Sequence, residues 1–230
     1  VERSRGLGDV YKRELLDNLE DWKPYYETSS VLTVSDYLKN KPVEKDRKLV
    51  INLSNDYSYN SEGYYCSLLA QTRGQKVIPD VDIINKMEAG TGVRMDRSLQ
   101  ALCYQWIQKN DIKDDIWYLN IYFGKCREKG LERIARFIFE NYPCPLLRVA
   151  LNTHPRNQIE GIHFLPLNQL NDAEFSPEIL KEIYRIGEPI IRELLLKKYD
   201  SKCQNFAPDV RKQYLIEELK KIEDAEKGNI

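Results

Sequence analysis

The stretch KLVINLSNDYSYNSEGYYCSLLAQTRGQKVI, residues 48–78, decides the fold class. Residues 48–53 are a compact apolar run bounded by polar residues, which is typical of a buried parallel strand. Residues 62–72 predict a helix that ends at Gly74, because glycine readily takes the left-handed conformation found at helix ends. Residues 75–78 predict the next strand. Strand, helix and strand at this spacing predict a βαβ unit with parallel pairing and a right-handed crossover.

Downstream of this unit, apolar residues at helical or alternating spacing continue the α/β pattern. Pro79 and Asp80 are suited to open a helix through Met87. The further predicted helices are 98–107, 131–142 and 177–196, and the further predicted strands are 116–123, 146–151 and 159–165. The last strand is expected to pair antiparallel with the one before it, on one edge of the sheet.

Upstream, the segment Leu7–Leu19 has apolar residues at helical spacing and predicts an amphipathic helix. Residues 30–34 predict a short strand, and Ser35 is the expected N-cap of the helix that follows. On the predicted helix 62–72, one face carries Tyr65, Leu68 and Leu69.

These elements predict an α/β fold with a mostly parallel, Rossmann-like sheet flanked by helices. We expect an N-terminal helical extension over residues 1–20, the α/β domain over 21–196, and a charged C-terminal helix or linker over 197–230. The segment 209–226 of this C-terminal extension has apolar residues at helical spacing. It is expected to pack on the domain or to reach a partner.

Composition excludes several classes of function. The 35 lysines and arginines against 36 aspartates and glutamates give a formal charge of −1, which argues against bulk attraction to nucleic acid or to an anionic membrane. No apolar run approaches the ~20 residues that cross a bilayer. The five cysteines are odd in number and form no CxxC pair, so we expect reduced thiols in a cytoplasmic protein.

Residues 52–65 are the strongest candidate for a binding site. They follow a buried parallel strand and lead into a helix N-terminus, where ligands of open α/β sheets usually bind. Ser61 could cap the helix, Gly63 would allow close backbone approach, and Tyr57 and Tyr59 could donate hydrogen bonds or stack. The candidate substrate-binding residues are Asn52, Asp56, Tyr57, Tyr59, Ser61, Glu62, Gly63, Tyr64 and Arg73. A rigid strand–helix connector explains the same sequence equally well, because neither GxGxxG nor GxxxxGK[ST] spacing is present.

Catalytic and metal-binding patterns are not visible. His154 and His163 lie in no HExxH or HxH arrangement, so no metal site is predicted. No GxSxG elbow occurs, and no serine or cysteine can be tied to a base. The sequence therefore names no catalytic residue, and it leaves open whether the chain takes part in an enzyme.

Several short strings of residues follow one another along the chain in a characteristic order. They are Asp21-Trp22, Asp36-Tyr37-Leu38, Val50-Ile51-Asn52-Leu53, the run from Tyr57 to Ala70, Arg73-Gly74, Val77-Ile78-Pro79, Ile121-Tyr122-Phe123-Gly124, Ile138-Phe139 and the run from Pro143 to Val149. By their order and number, these strings resemble the RimK-like ATP-grasp N-terminal domain family, and the resemblance covers residues 21–196.

The resemblance implies a sheet of the pre-ATP-grasp type and a role beside an ATP-grasp core that joins a carboxylate to an amine, typically adding an amino acid such as glutamate. ATP and Mg²⁺ are expected only with that core, since the lysine, the glycine-rich lid and the magnesium ligands of such a core are not found in these residues. The expected partner is an ATP-grasp catalytic domain, in cis or in trans, and a homo-oligomer is permitted. The expected function is a non-catalytic ligase module for substrate binding or assembly. A stand-alone protein-interaction domain that docks through residues 209–226 is the alternative.

Overall fold

The computed structural model describes residues 12–21, 31–39, 49–90, 93–153 and 159–170. In chain order the strands are β1 (Lys12–Leu16), β2 (Val31–Thr33), β3 (Leu49–Asn52), β4 (Lys76–Ile78), β5 (Ile116–Tyr122), β6 (Leu146–Asn152) and β7 (Ile159–Phe164). The helices are α1 (Val34–Lys39), α2 (Glu62–Thr72), α3 (Val81–Glu88), α4 (Arg97–Lys109) and α5 (Glu132–Asn141). Short 3-10 turns lie at Leu19–Asp21 and Leu167–Leu170.

Strands β1 to β4 form a four-stranded parallel sheet in the order β2-β1-β3-β4. The predicted βαβ unit is β3-α2-β4, whose two strands pair in parallel. Helices α1 and α2 pack on one face of this sheet, over a core that includes Leu15, Val50 and Val77. The other face, with Leu16 and Ile51, packs against α5 and the second sheet. The predicted α/β class, with a parallel sheet flanked by helices, is confirmed.

Strands β5, β6 and β7 form a separate antiparallel sheet in that order. The predicted antiparallel pairing of β6 with β7 is confirmed, but its predicted place on an edge of the parallel sheet is wrong, because the two strands form a second sheet with β5. Helices α4 and α5 cover one face of this sheet, where Leu119, Val149 and Leu151 are buried. Tyr122 and Leu146, on the opposite face, join the core of the parallel sheet, so the two sheets share one interior.

The prediction of a helix over Leu7–Leu19 is wrong over Lys12–Leu16, because these residues form β1, an inner strand that pairs with both β2 and β3. Leu15 and Leu16 are both buried, one toward each face of the sheet. A strand covered on both faces has no alternation of apolar and polar residues, and its pattern can mimic that of a helix. Strand β1 belongs to the parallel sheet, although the α/β domain was predicted to begin only at residue 21.

Two local predictions change in detail. The helix α1 begins at Val34, and its early N–H at Asp36 donates to the hydroxyl of Thr33 at 3.0 Å, so Thr33 acts where Ser35 was expected. On α2, the buried residues are mostly small, whereas Tyr65 and Leu68 point outward.

Predicted elements at 177–196 and 209–226, and the extension over 197–230, lie outside the described residues, as does His154. Within the described ranges, no helix is long and apolar enough to cross a membrane.

Candidate functional site

The strand order places a topological switch between β1 and β3. From β1 the chain moves outward to β2, whereas from β3 it moves in the opposite direction to β4. Loops that follow the carboxyl ends of two such strands diverge and leave a crevice, which is where open α/β sheets bind ligands. The loop after β1 begins at Asp17, and the loop after β3 runs from Leu53 to Ser61. The predicted binding segment therefore lies at this edge of the sheet.

Asp17 joins the two loops. Its carboxylate accepts one hydrogen bond from the hydroxyl of Ser54 at 2.8 Å and another from the backbone N–H of Asn55. Asn55 in turn accepts a 3.1 Å hydrogen bond from the N–H of Asn168, in the turn after β7. The crevice is thus closed by protein contacts that link both sheets.

Asn52 is fully buried at the end of β3, and both ends of its amide are engaged. The amide nitrogen donates to the carbonyl of Gly63 at 2.8 Å and to the hydroxyl of Ser67 at 3.0 Å, while the amide oxygen accepts from the N–H of Ser54 at 3.2 Å. The hydroxyl of Ser67 donates a hydrogen bond to the carbonyl of Pro79 at 2.8 Å. Asn52 therefore fixes the start of α2 to two strands of the sheet.

Tyr57 is buried, and its hydroxyl donates to the carbonyl of Asn52 at 2.6 Å. The ring packs on Phe164 of β7, with 4.4 Å between ring centroids. Burial raises the pKa of this hydroxyl well above its usual value, so it remains a protonated donor. Its position makes Tyr57 a support of the loop.

Gly63 permits the loop to press against the first turn of α2. A Cβ at this position would lie 2.6 Å from the Cβ of Ser54, and it would also meet the carbonyl of Asp56. The close approach expected at Gly63 is present, and the partner is the chain itself. Ser61 caps the helix as predicted, accepting from the N–H of Tyr64 at 3.1 Å and donating to the carbonyl of Asp56 at 3.0 Å.

Asp56 contributes mainly to the shape of the loop, because its carboxylate accepts a 2.8 Å hydrogen bond from the N–H of Ser58. Side chain–backbone bonds two residues apart are typical of Asx turns.

The outward part of the site consists of Tyr59, Glu62, Tyr65 and Leu68, hereafter the α2 surface. Tyr59 is 69% exposed, Tyr65 43% and Leu68 37%. Glu62, Tyr65 and Leu68 follow one another at three-residue spacing, which places them on the same side of the helix. Tyr59 meets the edge of the buried Tyr64 at 5.5 Å between centroids, and Tyr64 meets Tyr65 at 5.9 Å. The carboxylate of Glu62 makes no hydrogen bond or ion pair with other described residues.

Arg73 lies at the other end of α2, away from the crevice. Its guanidinium stands 4.8 Å from the ring centroid of Tyr37 and donates to the Tyr37 carbonyl at 3.3 Å. The hydroxyl of Tyr37 donates to the amide oxygen of Gln75. Arg73 thus joins α1 to α2, and the structure does not bring it together with the other candidates.

Sequence patterns did not single out Asp17, which is central to the geometry. Its position directly after β1 is the one signal that could have identified it, because polar residues that follow a parallel strand are candidates for a binding site. That signal requires β1 to be recognised as a strand. The reason for that failure is the apolar pattern of β1 itself.

The titratable groups nearby offer little reactive chemistry. Burial raises the pKa of Cys66, on the buried face of α2, to about 12, so this thiol is protonated at neutral pH and is a poor nucleophile. Across the described parts of the chain, no cluster of histidine, cysteine, aspartate and glutamate has the arrangement to hold a metal ion. The arrangement is suited to holding shape and presenting a surface.

A comparison with family models matches residues 34–177 to the family described as RimK-like ATPgrasp N-terminal domain. The matched range runs from α1 past β7 and contains the whole segment from Asn52 to Gly74. Comparisons with curated proteins and with solved structures gave no match.

Proposed function

The chain belongs to the RimK-like ATP-grasp N-terminal domain family, and we propose that it is a non-catalytic module of an ATP-dependent carboxylate–amine ligase. In this role it contributes to assembly with an ATP-grasp catalytic domain, in cis or in trans. We expect it to act in the cytoplasm. ATP and Mg²⁺ would be held by the catalytic domain.

One observation carries the assembly role: the contrast between the inner and outer residues of the predicted binding segment. Asn52, Tyr57, Ser61 and Gly63 all make internal contacts that shape the loop. Tyr59 and the exposed face of α2 are left facing outward. A loop whose polar groups are already paired is pre-organised, so a partner can bind its outer surface at little cost in chain entropy.

The α2 surface has the composition of a protein contact. Tyrosines supply large, rigid area with few rotatable bonds, and they are enriched where proteins bind one another. Glu62 adds one charge at the rim, where charges act mainly on specificity and on the rate of association. Tyr59 and Glu62 are also proposed to contact substrate, since both follow the carboxyl end of β3, where ligands bind in this class of fold.

The direct test is reconstitution with the ATP-grasp catalytic core of a carboxylate–amine ligase, supplied as a separate protein. We expect the chain to bind the core and to support ATP-dependent joining of an amino acid to a carboxylate, measured by ADP release and product mass. Tyr59→Phe, Glu62→Ala and Leu68→Gln should each weaken binding to the core, measured by calorimetry, while the melting temperature changes little.

Tyr104→Phe provides a matched control, because Tyr104 is an exposed tyrosine on a different helix, α4. It should leave binding to the core unchanged. If all three α2-surface variants bind like the unaltered chain, the assembly role of this surface is wrong. Loss of folding in those variants with binding intact in the folded fraction would instead favour a purely structural connector.

The alternative is a stand-alone interaction domain whose partner docks on the charged C-terminal segment. It differs in expecting no ligation in any mixture and in placing the contact on residues 209–226. Deleting those residues would then abolish complex formation while the remaining domain stays folded.

A further inference from the structure

One face of the antiparallel sheet bears a polar and aromatic group of residues that the α2 surface does not include. The opposite face is apolar and packs on α4 and α5. On the outward face, Tyr118 is 54% exposed, His163 is exposed and Arg148 is half-buried. The register pairs Asn120 with Arg148 and Arg148 with His163, so these three residues form one row across the three strands.

Arg148 is held in place by its neighbour on β5. Its Nε–H donates to the amide oxygen of Asn120 at 3.0 Å. Its two terminal amino groups make no further hydrogen bond or ion pair in the part of the chain that the structure describes. A guanidinium anchored at Nε keeps its plane while its outer edge can still donate two parallel hydrogen bonds.

The imidazole ring of His163 lies over Gly161, two residues earlier on the same strand. A Cβ at Gly161 would stand 2.7 Å from Nε2 of His163, so only glycine leaves room for the ring in this position. Gly161 pairs with Ala150, and Ala150 pairs with Tyr118. Small residues therefore continue the row of Tyr118 on the other two strands, and the imidazole lies over Gly161.

We propose that the sheet surface around Arg148 is a binding site for a carboxylate group, which Arg148 holds through its outer edge while His163 and Tyr118 border it. Cross-strand neighbours on one face have Cβ atoms about 5 Å apart and diagonal ones about 7–8 Å apart, so all three side chains can reach one small ligand. We name this group the Arg148 site.

The charge at the Arg148 site selects the class of anion. Arg148 is the only lysine or arginine in β5, β6 and β7. A single planar guanidinium matches a planar carboxylate of one negative charge, whereas a doubly charged phosphate is usually held by several cations or by a run of backbone N–H groups. Glu160, the one acid on β7, accepts a 2.7 Å hydrogen bond from the amide of Asn152 and lies at the irregularity in the pairing of β6 with β7.

The Arg148 site stands apart from the assembly role proposed for the α2 surface, and its test needs only the purified chain. Benzoate is a suitable probe, because it combines a carboxylate with a ring that can contact Tyr118. Benzamide has the same shape without the charge, and inorganic phosphate represents the other class of anion. Binding is followed by NMR through the Arg148 Nε–H signal and the His163 ring signals.

We expect benzoate to shift both sets of signals saturably, with benzamide and phosphate giving weaker binding. Arg148→Gln should weaken benzoate binding about tenfold or more, the ratio expected for loss of a charge-assisted pair. Arg148→Lys should restore little of it, since lysine lacks the planar fork. Gly161→Ala should displace the imidazole and weaken binding about threefold, a change of less than one order of magnitude in affinity.

Arg136→Gln is the matched control, because Arg136 is an exposed arginine on α5 that pairs with Glu140 at 3.1 Å. It should bind benzoate like the unaltered chain. The proposal is overturned if Arg148→Gln and Arg148→Lys both bind benzoate as tightly as the unaltered chain. It is equally overturned if benzamide binds as well as benzoate, or if phosphate binds more tightly than either.

Discussion

The carboxylate of Asp17 accepts a 2.8 Å hydrogen bond from the hydroxyl of Ser54, and this contact joins the loops that follow two neighbouring parallel strands. Ser54 is buried, so its hydroxyl depends on protein partners. The same carboxylate also accepts a hydrogen bond from the backbone N–H of Asn55. A single side chain thus sets the spacing of the two loops at the switch in strand order.

Asp17→Ala is therefore expected to lower the free energy of unfolding by about 1–3 kcal/mol, the usual range for the loss of hydrogen bonds to a charged group. Urea unfolding followed by circular dichroism measures the change. Glu88→Ala is the control, because Glu88 is an exposed acid at the end of α3, where a negative charge gains nothing from the helix dipole. Equal stability of the two variants would show that Asp17 does not hold the loops.

Gly63→Ala is expected to destabilise the chain by about 3 kcal/mol or more, in the range of overpacking. In an exposed helix the same change stabilises by about 1 kcal/mol, so the sign is diagnostic. The added methyl would meet Ser54 and the Asp56 carbonyl, which cannot move without breaking the bonds to Asp17 and Ser61. Thermal unfolding of the variant and of the unaltered chain provides the measurement.

Gly90→Ala gives the comparison for this prediction. Gly90 has φ of +64°, and no atom lies within 4 Å of the point where an added methyl group would stand, so alanine there meets only backbone strain. We expect a loss of about 1 kcal/mol. A Gly63→Ala variant as stable as Gly90→Ala would mean that the loop is loose at this point.

The βαβ unit could be predicted from the sequence because each of its parts has its own local signal. β3 is a continuous apolar run, Ser61 is a cap, and Gly74 ends the helix at φ of +70°. The inner strand β1 could not, because Leu15 and Leu16 face opposite cores and leave no alternation. Its neighbours in the sheet come from later parts of the chain, and no local pattern records that pairing.

The candidate site shows a different limit of sequence patterns. Polar residues in a loop between a strand and a helix predict a binding site and a rigid connector equally well. The two differ in whether the polar atoms point inward, and this depends on contacts such as those of Asn52 with Gly63 and Ser67. On α2, mostly small residues are buried while Tyr65 and Leu68 are exposed, because the helix lies close to the sheet, so hydrophobicity alone does not identify the buried side.

Arg73→Gln should reduce stability by about 1 kcal/mol, through loss of the cation–π contact with Tyr37 and of the hydrogen bond to its carbonyl. Binding to an ATP-grasp core should not change, since Arg73 lies at the far end of α2. Arg94→Gln, at an exposed arginine before α4, should alter neither property. If Arg73→Gln binds the core more weakly at unchanged stability, Arg73 belongs to the binding site after all.

The stability of the chain should fall in alkaline solution partly because of Cys103. Burial raises the pKa of this thiol from its ordinary value near 9 to about 11. Below pH 9 the thiol is protonated in both the folded and the unfolded state, so it adds no pH dependence. Between pH 9 and 11 the unfolded state loses the proton more readily, and stability falls as pH rises. At pH 10 the expected loss from this group is about 1 kcal/mol.

The test compares Cys103→Ala with the unaltered chain, by urea unfolding at pH 7.5 and at pH 10. Removing the buried thiol costs stability at both values, so the informative quantity is the difference between them. This difference should be smaller in the variant by about 1 kcal/mol, because the unfolded variant has no thiol to ionise at this position. The other tyrosines, lysines and cysteines are common to both proteins and cancel. An identical loss in both proteins would show that the thiol of Cys103 ionises as easily in the folded chain as in the unfolded one, and that the core around α4 admits water.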